Sequence, residues 1–241
     1  MKTRLIAFAL ILGIAVGGGI AIAGIYLGMS LKESRKPQRA VSVRGLAERE
    51  VDADLAVWPI TFSETSNDLS DLQKQISEKK KIVTGFLSEA GFLPSDISFS
   101  APRIIDRHAR EYGEVSQKLE YRYLGKTTVT LRSTNVPLVI KTMELSGNLI
   151  GKGVVLDAEN WQNPTEYFFK GLNKIKPEMI EEATKNARAA GEKFAADSGS
   201  KLGEIRSATQ GLFEINERDR NTPQKKQVRV VTSVEYSLID D

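Results

Sequence analysis

Val41-Ser-Val-Arg-Gly-Leu-Ala-Glu-Arg-Glu-Val-Asp-Ala-Asp-Leu-Ala-Val-Trp58 is the stretch on which the reading of the fold turns. Val41 and Val43 alternate with Ser42 and Arg44, the period of two expected of a half-buried strand, because successive side chains leave a strand on opposite faces. The charged run Glu48 to Asp52 predicts a turn, and Ala53 to Phe62 a second strand. Pro59 has no N–H to give to a ladder, so it predicts an edge position, a bulge or an early break in that strand.

Toward the C-terminus the period changes. Leu69, Leu72, Ile76, Val83, Phe86 and Leu87 fall on one face of a helix from Leu69 to Glu89, with Lys79, Lys80 and Lys81 on the other. Asn67 or Asp68 suits its N-cap and Gly91 its C-terminal exit, and Pro94 prevents continuation. Strands are expected at Ile97–Ile105 and Leu119–Leu131 around a polar loop, with Gly125 as a candidate bulge. A short helix is expected from Val136 to Leu145, ending near Gly147. A strand pair then covers Gly153–Asn160 and Thr165–Leu172.

A second long helix is predicted to start with Pro177 at its first position, with Glu178, Glu181 and Glu182 beside the positive end of its dipole. Ile180, Ala183, Ala187, Ala190, Phe194 and Ala195 form its apolar face, and Gly199 ends it. The last strands are Leu202–Ile215 and Gln227–Ile239. In the latter, Val228, Val230, Thr232, Val234, Tyr236 and Leu238 share a side. Strands in short-turn groups with long helices between them predict an α+β fold, an antiparallel sheet with helices packed on it.

Toward the N-terminus, Leu5 to Leu31 holds 27 consecutive residues without a charge. As a helix that run is about 40 Å long, more than the ~30 Å hydrocarbon core of a bilayer. Residues 1–31 therefore read as a single transmembrane anchor, 32–40 as a linker and 41–241 as the folded domain. A cleaved signal peptide is the competing reading, with Ala21-Ile22-Ala23 as the cleavage site. Gly13, Gly17, Gly19, Gly24 and Gly28 place small residues along the helix, a pattern that lets membrane helices pack closely but is also tolerated without packing. Lys32, Arg35, Lys36 and Arg39 follow the helix and favour a cytoplasmic domain on charge alone.

Composition excludes several chemistries. The chain has no cysteine and one histidine, His108, so disulfides, thiolate sites and a His-rich metal centre are out of reach. Its 34 basic and 31 acidic side chains nearly cancel, and no basic cluster marks a nucleic-acid partner. Asp106, His108 and Glu111 form one acid–histidine cluster, but Arg103, Arg107 and Arg110 beside them point to a solvated ionic loop. Ser198 and Lys201 match S-x-x-K and Ser146 and Asn148 match S-x-N, in the reverse order of the acyl-transferases and without K-T-G. Gly151-Lys-Gly153 is a turn, and no cofactor fingerprint is present. Trp58, Trp161, Tyr167, Phe168 and Phe169 are either core residues or an oligomer interface, where aromatics supply much binding energy.

The opening stretch 41–58 resembles the start of the SIMPL-domain proteins. Lys176-Pro-Glu-Met-Ile-Glu-Glu-Ala183, Asn186-Ala-Arg188, Phe194-Ala-Ala-Asp-Ser198, Leu202-Gly203 and Val228-Arg-Val-Val-Thr-Ser-Val-Glu-Tyr-Ser-Leu238 resemble that family's second helix, turn and last strand. The resemblance spans about 40–239 and implies an exported bacterial envelope protein that forms large homo-oligomers and has a loose link to stress responses. It supplies no catalytic residue. The resulting expectation is a non-enzymatic scaffold in the inner membrane with its domain on the periplasmic side. A ring or channel enclosing a transport path, and an envelope hydrolase, are the alternatives.

Overall fold

A computed structural model of the chain describes residues 13, 17–27, 29, 39–109, 120–157 and 163–240. Residues 17–27 are helical and exposed. Apart from Gly13 and Met29, the rest of the expected anchor, Gly28 included, and linker residues 32–38 lie outside the described residues. No helix among those described is long and apolar enough to cross a membrane.

The elements follow as β1 (Ala40–Asp52), β2 (Leu55–Ser66), α1 (Leu69–Glu89), a 3-10 turn (Pro94–Asp96), β3 (Ile97–Phe99), β4 (Arg103–Asp106) and β5 (Tyr123–Ser133). Then come α2 (Val136–Glu144), α3 (Gly147–Gly151), β6 (Glu166–Phe168), α4 (Leu172–Asp197), β7 (Ser200–Gln210), β8 (Glu214–Glu217) and β9 (Lys225–Asp240). They form an α+β fold with two sheets. One has the order β3-β5-β2-β6, with β4 also on β5; the other has the order β1-β9-β7, with β8 also on β9. The pairs β2–β5, β2–β6, β3–β5, β4–β5 and β8–β9 are antiparallel.

The chain divides into two compact units, Gly45–Asn186 with Gln210–Thr232, and Met1–Arg44 with Ala187–Thr209 and Ser233–Asp241. In the larger unit α1 packs on β2 and β5. Trp58, Ile60, Phe62, Val83, Phe86, Leu87, Val129 and Leu131 fill one core, to which α2 adds Val136 and Val139 and α3 adds Leu149. Asp68 caps α1, its Oδ1 accepting from the Asp71 N–H at 2.9 Å, and Gly91 leaves the helix at φ +100°. That conformation carries no Cβ penalty only in glycine. A second cluster of the same unit gathers Ala47, Met179, Ala183, Val228 and Val230. In the smaller unit Val43, Ala187, Val234 and Tyr236 cluster, with Val41, Ala190 and Leu202 against them.

Several expectations are corrected. Glu48 to Asp52 is the second half of β1, not a turn. Its charges meet cations of neighbouring segments: Glu48 with Arg229 at 3.4 Å, Glu50 with Arg218 at 3.4 Å and Asp52 with Lys225 at 2.6 Å. Opposite charges across a ladder make a charged run compatible with a strand. Pro59 sits inside β2 opposite Thr130, and the strand runs on to Ser66. β6 pairs only with Leu55–Val57, so Pro59 lies where that flank of β2 has no ladder to feed.

Gly125 does not bulge, because β5 stays in register with β2 from Tyr123 to Ser133. Its role is close approach: a Cβ there would stand 2.7 Å from Ile76 Cδ1 and 3.3 Å from Leu72 Cδ2 of α1. The extra residue is on the other strand. Ile97 to Phe99 pair one residue out of step with Arg103 to Asp106 along β5, and the chain absorbs the slip at Ala101-Pro102.

Gly147 opens α3 rather than closing α2. Of the strand pair expected at Gly153–Asn160 and Thr165–Leu172, only an isolated bridge, Phe62 to Leu156, and the short β6 form among the described residues. The second long helix starts at Leu172, with Pro177 inside it. Leu172 and Ile175 pack on the Met179 cluster, which favours the extra turn over the one hydrogen bond that Pro177 cannot make. Phe194, expected on the buried face, is 61% exposed; the buried positions are Met179, Ala183, Ala187, Gly191 and Ala195, a strict spacing of four.

Candidate functional site

The four described aromatic positions do not come together as one patch. Trp58 and Tyr167 are buried in the main core, and the Tyr167 hydroxyl donates to Met143 Sδ at 3.6 Å. Burial raises the Tyr167 pKa above the usual phenol value. Phe169 packs on the Met179 cluster, whereas Phe168 is 40% exposed. Trp161 lies outside the described residues. Gly13, Gly17, Gly19 and Gly24 have no neighbour near the position of a Cβ.

Asp106 is held by Arg122, whose Nη2 lies 2.8 Å from Oδ2 and whose Nε lies 3.2 Å from Oδ1. Hydrogen bonds from Arg122 hold the Asp106 carboxyl below its ordinary range, and the His108 backbone N–H adds to them at 3.0 Å. Glu111 lies outside the described residues. Among the described residues no three His, Asp or Glu side chains converge to hold a metal. The Ser198 hydroxyl donates to the Ala195 carbonyl at 3.0 Å, a local bond at the end of α4.

The described residues of the larger unit form two concavities of note. One, of about 210 Å³, runs beside the flank of β2 that β6 leaves unpaired. Trp58, Pro59 and Thr61 line it with Ser146, Asp157 and Asn163. Its carboxylate, Asp157, takes the Lys126 ammonium at 2.9 Å, and the Asp157 N–H donates to the Thr61 carbonyl.

The other, of about 470 Å³, lies between α1 and β3. Lys81, Thr84, Gly85 and Ser88 stand at helical spacing, so three small residues leave a trough beside the exposed ring of Phe99. Lys80 Nζ lies 5.8 Å from the centre of that ring. An apolar wall with two ammonium groups at its rim suits an anion with a flat apolar body. The helical period places Lys79–Lys81 away from the apolar face, and the small residues at 84, 85 and 88 are the sequence signal for the trough.

Glu64 lies opposite Gly125, beneath α1. Its Oε1 is buried without a hydrogen-bond partner. Desolvation raises its pKa, and Lys79 works against that shift.

A further exposed surface lies along a strand edge. β7 is the last strand of its sheet, and its residues Glu204 to Gln210 are all exposed. Ile205 is 55% exposed, and Leu212, in the loop from β7 to β8, is 90% exposed. Gly211 holds that loop to β9 by donating to the Val231 carbonyl at 2.8 Å. The single strand expected at Leu202–Ile215 is two, β7 and β8, and neither the edge nor the loop between them has a signature in the residues.

The family model for SIMPL, described as a protein of unknown function (DUF541), matches residues 41–236. No curated protein matches the chain.

Proposed function

The chain belongs to the SIMPL family over residues 41–236, and on that premise we propose that it is a membrane-anchored homo-oligomer of the bacterial envelope acting as a scaffold. The observation that carries this reading is the exposed edge strand β7 with Ile205 and Leu212 beside it. Monomeric proteins shield long strand edges, because a row of unpaired N–H and C=O groups accepts another chain. The charged groups at 48–52 also support a structural role, since they join β1 to β9 and to the loop that precedes it in ion pairs. The uncharged run Leu5–Leu31 supports attachment to a bilayer, with the domain in the periplasm, although the flanking charges favour the opposite side.

The test is the mass of the full-length chain in mild detergent by light scattering. A discrete multi-subunit particle is expected, and a monomer at working concentration contradicts the proposal.

A further inference from the structure

We propose that two copies of this chain join through β7, edge to edge and antiparallel, about a two-fold axis at Ile205. This rests on the homo-oligomer reading above and names the surface that makes the contact.

β7 is eleven residues long, contains no proline, and lies at the end of the order β1-β9-β7. Short edge strands, prolines and dense charge are the usual protections, and β7 has two charged residues, Glu204 and Arg206, in its exposed stretch. Those two flank Ile205. An antiparallel pairing of β7 with itself centred on Ile205 sets Glu204 of each copy against Arg206 of the other and the two isoleucines against each other. Gly203 then meets Ser207, and Leu202 meets Ala208. Opposite charges directly across a ladder stabilise a register, and like charges oppose it. A shift of two residues loses the isoleucine contact and both charge pairs, so one register is favoured. The same patch serves both copies, as a two-fold interface requires. Arg206 also has an internal partner, Glu235 at 3.4 Å, with both side chains about 40% exposed. Such a surface pair is weak and leaves the guanidinium donors for a second carboxylate.

The chain contains no cysteine, so single cysteines report the register directly. In the full-length protein in mild detergent, Ile205→Cys is expected to form an intermolecular disulfide on mild oxidation, because directly opposed Cβ atoms lie about 5 Å apart. Ser207→Cys is expected to link at least tenfold less, since its two copies would be about 14 Å apart along the strands. A second measurement uses charge, in a Glu235→Gln background that itself leaves association unchanged. There Arg206→Glu weakens association at least tenfold, and Glu204→Arg with Arg206→Glu restores it.

Equal linking at 205 and 207, or no linking at 205 in a particle of multi-subunit mass, overturns this interface while the oligomer reading stands. Association unaffected by Arg206→Glu overturns it as well. A monomeric mass for the unsubstituted chain removes both proposals.

Discussion

In the β3-β5-β2-β6 sheet, side chains as large as Trp58, Phe62 and Leu131 meet Val83, Phe86 and Leu87 of α1 in one continuous core. Against β1 and β9, α4 instead turns Ala183 in one cluster and Ala187 in another. Gly191 belongs to the same row of small residues, and a Cβ there would come within 3.1 Å of Leu202. Apolar burial stabilises by about 25 cal/mol per Å², so a phenylalanine or leucine contributes several times what an alanine does. The alanine-lined sheet also carries polar links: Arg229–Glu48, Lys225–Asp52, and Arg218 joined to both Glu50 and Asp219. Exposed pairs of this kind add little. The leaner sheet is the one with an exposed edge strand, and in the proposed assembly association with another copy would supply what its core lacks.

Three substitutions or conditions probe this contrast. The largest effect belongs to Phe62→Ala. Phe62 is fully buried, and truncation there is expected to cost about 3–5 kcal/mol in urea unfolding. A loss below about 1 kcal/mol would mean that the large-residue core matters less than its size suggests. Next is Ala183→Leu, which overfills the narrow space beside α4 and is expected to cost about 1–3 kcal/mol by the same assay. A stabilised variant would show that the space is a void rather than a close contact.

The smallest effect is acid sensitivity of the turn between β8 and β9. Hydrogen bonds from the Thr222 hydroxyl, and then from Arg218, lower the Asp219 carboxyl from 3.8 to about 2. A carboxyl depressed in the folded state contributes stability above its ordinary pKa and loses it as pH falls through the folded value. Amides of Glu214–Glu217 and Lys225–Arg229 are therefore expected to lose exchange protection between about pH 4 and pH 2, before those of β2 and β5. Simultaneous loss in both sheets would remove the distinction.

Much of this architecture was legible in the residues. The spacing of Leu72, Ile76, Val83, Phe86 and Leu87 fixed α1 to its observed ends, and the alternation from Val228 to Tyr236 set the buried face of β9. The failures have physical causes. Glu48 to Asp52 read as a turn because the matching cations, Arg218, Lys225 and Arg229, lie far along the chain. Pro177 read as a helix start because the packing of Leu172 and Ile175 cannot be seen locally. Gly125 read as a bulge because a close helix and an extra residue leave the same glycine in the sequence. The candidate surfaces were less legible still. A trough made by Thr84, Gly85 and Ser88, and an edge strand exposed from Glu204 to Gln210, are defined by what fails to cover them. Strand neighbours are a property of the topology.

Amide hydrogen exchange on the full-length protein in mild detergent, at high concentration and after dilution, tests the central claim most directly. The account predicts that those amides of Glu204 to Gln210 that point away from β9 are protected in the concentrated sample and exchange freely on dilution, while the amides bonded to β9, and Thr127 to Leu131 in β5, do not change. Free exchange of the outward-pointing amides in a sample of multi-subunit mass would contradict it.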